Sequence, residues 1–263
     1  MQLFTKNNNR WEQRMWTEEE ARKFRETYED SPLEGLISHS AYLINLCSST
    51  ESTVDKSRRA LADEMTRCQL LGIPYLVLHP GSHTGRGEEE GIEMIAENID
   101  RVYDEADEGE WEDVTLLLEN MAGQGTSIGY RFEHLADILE RLEVAERVGI
   151  CFDTCHAHAA GYDLTVEDSY EAVWGEFDEV IGLEQLEALH LNGSKREFDS
   201  RVDRHDHVGE GEIGLETFER LVNDPRFEGL PAAVETPPLD DGEPSFEYNV
   251  SKLKELRGDD API

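Results

Sequence analysis

The residues able to do chemistry in this sequence recur at equivalent places. Leu36-Ile37-Ser38 runs into His39, Leu76-Val77-Leu78 into His79, and Leu116-Leu117-Leu118 into Glu119. Ile150-Cys151-Phe152 runs into Asp153, the run from Leu186 to Leu189 into His190, and Ala232-Ala233-Val234 into Glu235. One polar residue after an apolar run is an ordinary strand end. Three imidazoles and three carboxylates at such positions form a pattern. Brought together, the carboxylates would repel one another and take up protons. Divalent metal ions resolve that conflict.

Two short motifs add donors. Asp153-Thr-Cys-His156 sets a carboxylate and an imidazole three residues apart, where a strand turns into a loop. Asp203-Arg-His205 sets the same pair two apart, on one side of an extended segment. The candidate ligands are therefore His39, His79, Glu119, Asp153, His156, His190, Asp203, His205 and Glu235. A zinc ion takes about three or four protein ligands, and a catalytic ion keeps a position for water. Nine ligands thus point to three ions, with one carboxylate shared. Mixed imidazole and carboxylate donors without thiolate favour Zn²⁺ or Mn²⁺ over Mg²⁺.

A β/α barrel brings the C-terminal ends of its strands to one mouth. Short apolar runs occur at Gln2–Thr5, Leu36–Ser38, Tyr75–Leu78, Val114–Leu118, Val148–Phe152, Leu186–Leu191 and Ala232–Val234. Between and after them lie helix-like stretches at Glu18–Thr27, Thr53–Leu71, Glu88–Asp107, Ile128–Leu142, Val166–Val180, Gly214–Asn223 and Pro244–Arg257. This alternation predicts parallel strands joined by crossover helices. No linker or low-complexity stretch divides the chain, so residues 1–263 are expected to form one TIM-type β/α-barrel domain. Seven βα units are visible where a closed barrel has eight. Met1 is followed at once by strand-like sequence, so the expectation is a barrel truncated at its N-terminus, or a start placed too late.

The charge balance is extreme: 24 Lys and Arg against 59 Asp and Glu, a formal net charge of −35. The acidic residues gather at Glu18–Glu20, Glu88–Glu90, Asp104–Glu112 and Glu184–Glu187, read as solvated helix faces and loops. Such self-repulsion is screened within about 3 Å at molar salt. Only six of the 24 basic residues are Lys, which fits a halophilic protein. A polyanionic ligand must then be held by a local patch or by metal ions, not by the field of the whole molecule. Cys47, Cys68, Cys151 and Cys155 form no CxxC pair and read as packed, reduced thiols. No signal peptide or long apolar stretch occurs, so a cytoplasmic protein with no membrane partner is expected. His83 and His134 read as a turn and a helix-face residue. His158 and His207, beside candidate ligands, read as groups that could orient them. The glycines of Ala122-Gly-Gln-Gly125 and Gly209-Glu-Gly211 read as tight-turn residues.

The strings LVLHPGSH (Leu76–His83), LENMAGQG (Leu118–Gly125), FDTCHAHAAGYDL (Phe152–Leu164), HLNGSK (His190–Lys195) and SRVDRHDHVGEGEIG (Ser200–Gly214) closely resemble the endonuclease IV family of apurinic/apyrimidinic endonucleases. The similarity runs in order over nearly the whole chain, and the acidic composition would make this a haloarchaeal member. The resemblance implies a xylose-isomerase-like barrel with three zinc ions. It places His39, His79 and Glu119 on the first ion. Glu119 bridges to a second, which also takes Asp153, His190 and Glu235. His156, Asp203 and His205 hold the third. It implies a DNA-repair endonuclease, expected as a monomer, acting on double-stranded DNA that contains abasic sites. A metal-bound hydroxide would attack the phosphorus 5′ to the abasic sugar, with Glu119 and Glu235 as catalytic residues. Glu235 would orient or deprotonate the nucleophile.

The resemblance also implies DNA contacts. Tyr42 matches a tyrosine that wedges into the duplex when the damaged nucleotide is flipped out. Asn9, with Arg10 beside it, stands where the family usually carries a duplex-penetrating Arg. Apart from the resemblance, Lys6, Arg10, Lys195, Arg196, Arg201 and Arg204 lie near the expected mouth and read as the local basic patch that would hold the phosphates. Gly193 stands where an Asp is usual, and the family's first βα unit is absent. Two other functions compete. A sugar isomerase or epimerase on a similar barrel needs fewer ions and leaves Asp203 and His205 without a task. An inactive abasic-DNA-binding protein would keep the site without the chemistry.

Overall fold

Each apolar run forms a strand in the computed structural model, which describes residues 1–257. The strands are Gln2–Leu3, Ile37–His39, Tyr75–Leu78, Thr115–Glu119, Val148–Asp153, Leu186–His190 and Ala232–Ala233. Neighbours in this series are neighbours in one sheet, and the pairs are parallel. Parallel neighbours need long crossovers. Helices Glu18–Glu29, Glu51–Leu71, Glu88–Asp104, Phe132–Arg141, Glu167–Val180 and Leu215–Asn223 supply them, and Phe246–Leu256 follows the last strand. This is the β/α barrel that the alternation predicts. Among the described residues the first and last strands share no ladder, so the seven-stranded ring keeps one seam, between Gln2–Leu3 and Ala232–Ala233. No helix among them is long and apolar enough to cross a membrane.

Two cores follow from the two-residue period of a strand. Ile37, Val77, Leu117, Cys151 and Ala188 pack together inside the ring, with Tyr75 and Ala233 against them. The alternate residues Leu36, Leu76, Leu78, Leu116, Leu118, Ile150, Phe152 and Leu189 join a larger cluster with helix residues such as Leu61, Met65, Ile95, Leu135 and Phe177. The residue two places after each inward apolar side chain shares its direction. Counting on by two from Ile37, Val77, Leu117, Cys151, Ala188 and Ala233 reaches His39, His79, Glu119, Asp153, His190 and Glu235. The same pleat that fills the barrel therefore aims six polar side chains into its mouth.

The acidic runs have local structural work as well as a place in solvent. Glu18–Glu20 and Glu88–Glu90 fall in first helical turns, where carboxylates meet the positive end of the helix dipole. Thr17 caps the first helix by accepting from the Glu20 N–H, and Glu20 accepts in return from the Thr17 N–H.

Two expectations shift. The helix expected over Ile128–Leu142 begins only at Phe132, because Ser127–Ile128 pairs antiparallel with Gly81–Ser82. The segment after Asp153, expected as a loop, is a helix, Thr154–Ala160. Asp153 caps it, Oδ1 accepting the His156 N–H at 2.8 Å, and Gly161 closes it in the left-handed region at φ 101°.

Candidate metal centre

Glu119, fully buried at the end of its strand, is the hub of the mouth. Its Oε2 lies 3.2 Å from Nε2 of both His39 and His79. Its Oε1 lies 3.0 Å from Nδ1 of His190. The same His190 nitrogen is 3.3 Å from Glu235 Oε2 and 3.7 Å from Asp153 Oδ2. Asp203 spans two imidazoles, with Oδ2 3.3 Å from His156 Nε2 and Oδ1 3.3 Å from His205 Nε2. Two sets of donors, His39/His79/Glu119 and Glu119/Asp153/His190/Glu235, each keep their ligating atoms within 4.8 Å of one another. The third region is less tidy than the resemblance implies. His156 and His205 gather with Asp153, and Asp203 and His205 gather with Cys155. Burial pushes the Cys155 thiol up to about 12, with Asp153 adding to the effect, so it presents a neutral thiol.

The imidazoles are oriented from behind. Nδ1 of His39, His156 and His205 lies 2.8, 2.9 and 3.1 Å from the carbonyl oxygens of Ser40, Asn120 and Glu235. A carbonyl only accepts, so Nδ1 carries the proton and Nε2 is left as a lone-pair donor. His190 is reversed: Nε2 lies 2.6 Å from Gln2 Oε1, and Nδ1 faces the carboxylates. Among the described residues His156 Nε2 and His205 Nε2 are buried and face Asp203 oxygens at 3.3 Å without hydrogen-bond geometry, a costly state for a buried polar atom. Neighbouring donors roughly 3.3 Å apart match the edge of a tetrahedron with bonds of about 2.0 Å, the zinc–nitrogen distance. Donor type, spacing and orphaned nitrogens all fit small divalent cations.

Electrostatics point the same way. Burial alone would raise the Glu119 carboxyl, yet His190, His79 and His156 hold it well below the usual carboxylate range. Burial likewise opposes ionisation of Glu235, and His190 and His39 overcome it. Asp203 is brought down to about 2 against its burial, by His156 and His205. Burial lowers His156 and His190, but Asp153, Asp203 and Glu119 around the first, and Cys151, Glu235 and Glu119 around the second, raise both well above the ordinary imidazole value. Protons and divalent ions compete for the same lone pairs here.

The xylose isomerase-like TIM barrel family model matches residues 1–256. A probable endonuclease 4 of Chloroflexus aurantiacus is 46% identical over 241 residues, 92% of this chain and 84% of its own. The probable endonuclease 4 of Geobacter sulfurreducens is 46% identical over 257 residues, 98% of this chain and 84% of its own. The chain belongs to the endonuclease 4 family. The crystal structure of endonuclease IV from Thermus thermophilus is similar to it with a TM-score of 0.81 at 33% identity, over 97% of this chain and 87% of that one. A D-tagatose 3-epimerase-like protein shares the fold alone, with a TM-score of 0.65 at 19% identity over 91% of this chain and 83% of that one.

In this endonuclease 4 member three supporting amides escaped the sequence reading. Asn192 Nδ2 donates to Asp153 Oδ2 at 2.6 Å, and its Oδ1 accepts the Glu235 N–H at 2.7 Å. Asn120 Oδ1 accepts the Asp153 N–H at 2.6 Å. Both asparagines stand at the ends of strands that carry candidate ligands, a signal that was available. Gln2 gave none. It reaches across the seam, its Oε1 on His190 and its Nε2 donating to Glu235 Oε1 at 2.6 Å.

Among the described residues the other histidines near the site make no hydrogen bond to a candidate ligand: His207 Nδ1 faces Asn249, and His158 packs edge-on against Phe198. Gly193 has a steric reason to be glycine: a Cβ there would sit 2.4 Å from the His207 carbonyl oxygen.

Tyr42 is 55% exposed and lies over the mouth, its ring 5.4 Å from His39 and 5.6 Å from His79. Burial pushes its phenol up to about 12, with Glu235 and Glu119 adding to the shift, so it stays neutral. Phe4, also missed, lies 5.8 Å from Tyr42 and 5.6 Å from His39. Asn9 and Arg10 are exposed on the loop after the first strand; Lys195 and Arg204 are exposed on a second loop, where the Lys195 N–H donates to the Arg204 carbonyl. Among the described residues no ion pair engages Arg10, Lys195, Arg196 or Arg204, whereas Arg14, Arg58, Arg141 and Arg226 are paired with carboxylates.

Proposed function

We propose that this protein is a DNA-repair endonuclease that hydrolyses the phosphodiester bond 5′ to an abasic site in double-stranded DNA, leaving a 3′-OH and a 5′-deoxyribose phosphate. The observation that carries this reading is the convergence of imidazoles and carboxylates in overlapping sets at one barrel mouth, in a chain 46% identical to proteins named probable endonuclease 4. Three ions, Zn²⁺ with Mn²⁺ able to replace it, would be held by His39, His79 and Glu119, by Glu119, Asp153, His190 and Glu235, and by His156, Asp203 and His205. When bound, such ions lower the pKa of a coordinated water to about 7 and offset phosphate charge.

The chain's own groups do the rest. Glu235, ionised and held by Gln2, orients the attacking water and takes its proton. Glu119 offers one oxygen to each of two neighbouring donor sets. Tyr42, over His39 and His79, fills the space left by the flipped nucleotide. Asn9 meets the duplex at the penetrating position, and Arg10, Lys195 and Arg204 contact the backbone, where unpaired cations serve a phosphate better than paired ones.

A duplex with one abasic site, end-labelled and incubated with the protein and Zn²⁺ or Mn²⁺ in molar salt, should be nicked on the 5′ side, and a chelator should stop the reaction. An intact duplex would overturn the reading. An epimerase on this barrel would leave Asp203 and His205 without a task; one ion per purified chain would favour it.

A further inference from the structure

Two loops flank the mouth: residues 7–16, with Asn9 and Arg10, and residues 40–43, with Tyr42. Neither contains a strand. Behind them lies a group of charges that the proposed chemistry does not use. Lys6, expected in the basic patch, is instead 5% exposed and unavailable to phosphate: it places Nζ 3.2 Å from Glu64 Oε1 and 3.3 Å from Asp63 Oδ2, and donates to the Trp11 carbonyl at 3.2 Å. Glu64, 1% exposed, accepts the Ala41 N–H at 3.1 Å through that same oxygen. Arg67, fully buried, donates to Asp63 and to the carbonyls of Gln13 at 2.6 Å and Arg14 at 3.1 Å. Asp63, Glu64 and Arg67 lie on little more than one turn of the Glu51–Leu71 helix. A single rigid surface therefore holds both loops by their backbones.

Apolar side chains of similar size would attach this helix to the barrel at less desolvation cost. They could not fix where a loop backbone sits, because dispersion contacts lack direction. Hydrogen bonds to the carbonyls of residues 11, 13 and 14 and to the N–H of Ala41 do fix it.

We propose that Lys6 and Glu64 are positioning residues for DNA engagement, one buried ion pair that locks the Asn9–Arg10 loop and the Tyr42 loop in a common register. The inference rests on the endonuclease reading, in which those loops grip the duplex. Among the described residues neither side chain hydrogen-bonds or ion-pairs with a candidate metal ligand, so a defect here should appear in substrate capture and not in chemistry.

The test uses the full metal-loaded chain as Lys6→Met, Glu64→Leu and the double variant. Each single variant should raise KM for abasic duplex about tenfold, leaving kcat and bound metal within about twofold of wild type. The double variant, which removes both charges together, should regain thermal stability without regaining KM. It therefore decides the matter if a single variant fails to fold. Wild-type KM in the double variant would overturn the inference, assigning the pair to folding alone. Loss of bound metal or of kcat with unchanged KM would overturn it too. Failure of the wild-type protein to nick is a separate result, which sinks the endonuclease reading and this inference with it.

Discussion

Glu235 carries the sharpest prediction at the scale of single residues. Its carboxylate faces His190 and is held in place by Gln2. Glu235→Gln keeps the shape and removes the proton acceptor. Nicking should fall by about 10²–10⁴-fold, while gel-shift affinity for abasic duplex stays close to wild type; nicking at the wild-type rate would remove Glu235 from its role. The histidines predict a pH effect. His39, His156 and His190 are raised in the folded chain by carboxylates that outweigh burial. A raised imidazole lends stability that is full below its unfolded pKa of about 6.5 and is lost as pH climbs through the folded value. Metal-stripped protein should therefore weaken above about pH 6.5, while metal binding, which needs neutral imidazole, strengthens. The gap in Tm between loaded and chelated protein should widen with pH. A gap that does not change with pH would mean these imidazoles are not the metal donors.

At the scale of elements, the strand pleat explains why so much of the site was legible. Counting by two from a buried Val77 or Leu117 lands on a candidate ligand, and that period is written in local sequence. The Thr154–Ala160 helix was hidden because seven residues are too few to show a helical period. Ile128 suits a helix face as well as a strand, and only its pairing across to Gly81 decides. Gln2 belongs to an edge strand beside the seam, where it supplies to His190 and Glu235 the hydrogen bonds that orient them. Gln2→Ala should lower metal affinity at that set by about 10–100-fold, read by competition with a chromogenic chelator. Unchanged affinity would show that the seam contributes no support.

At the scale of the whole molecule, a net charge of −35 works against both compaction and DNA binding. The Debye length shortens from about 10 Å at 0.1 M to 3 Å at 1 M salt, so self-repulsion fades. Thermal stability should rise over that range, measured as Tm against KCl; a flat or falling Tm would remove the high-salt reading. DNA binding should move oppositely, because phosphate contacts weaken as salt rises. Under the proposed function, exposed Arg10, Lys195 and Arg204, free of ion pairs among the described residues, would supply local attraction that the acidic remainder lacks.

The sequence by itself determined the donors and their direction. Imidazole and carboxylate chemistry resides in residue type, and the two-residue pleat is a local property of the backbone. Tertiary structure alone decided which oxygen meets which nitrogen, that His207 meets Asn249 and His158 meets Phe198, and that Gln2 reaches His190 across 188 positions of chain. Those facts depend on distances between remote segments, and a remote distance is set by how the strands close into a ring, which no local pattern records.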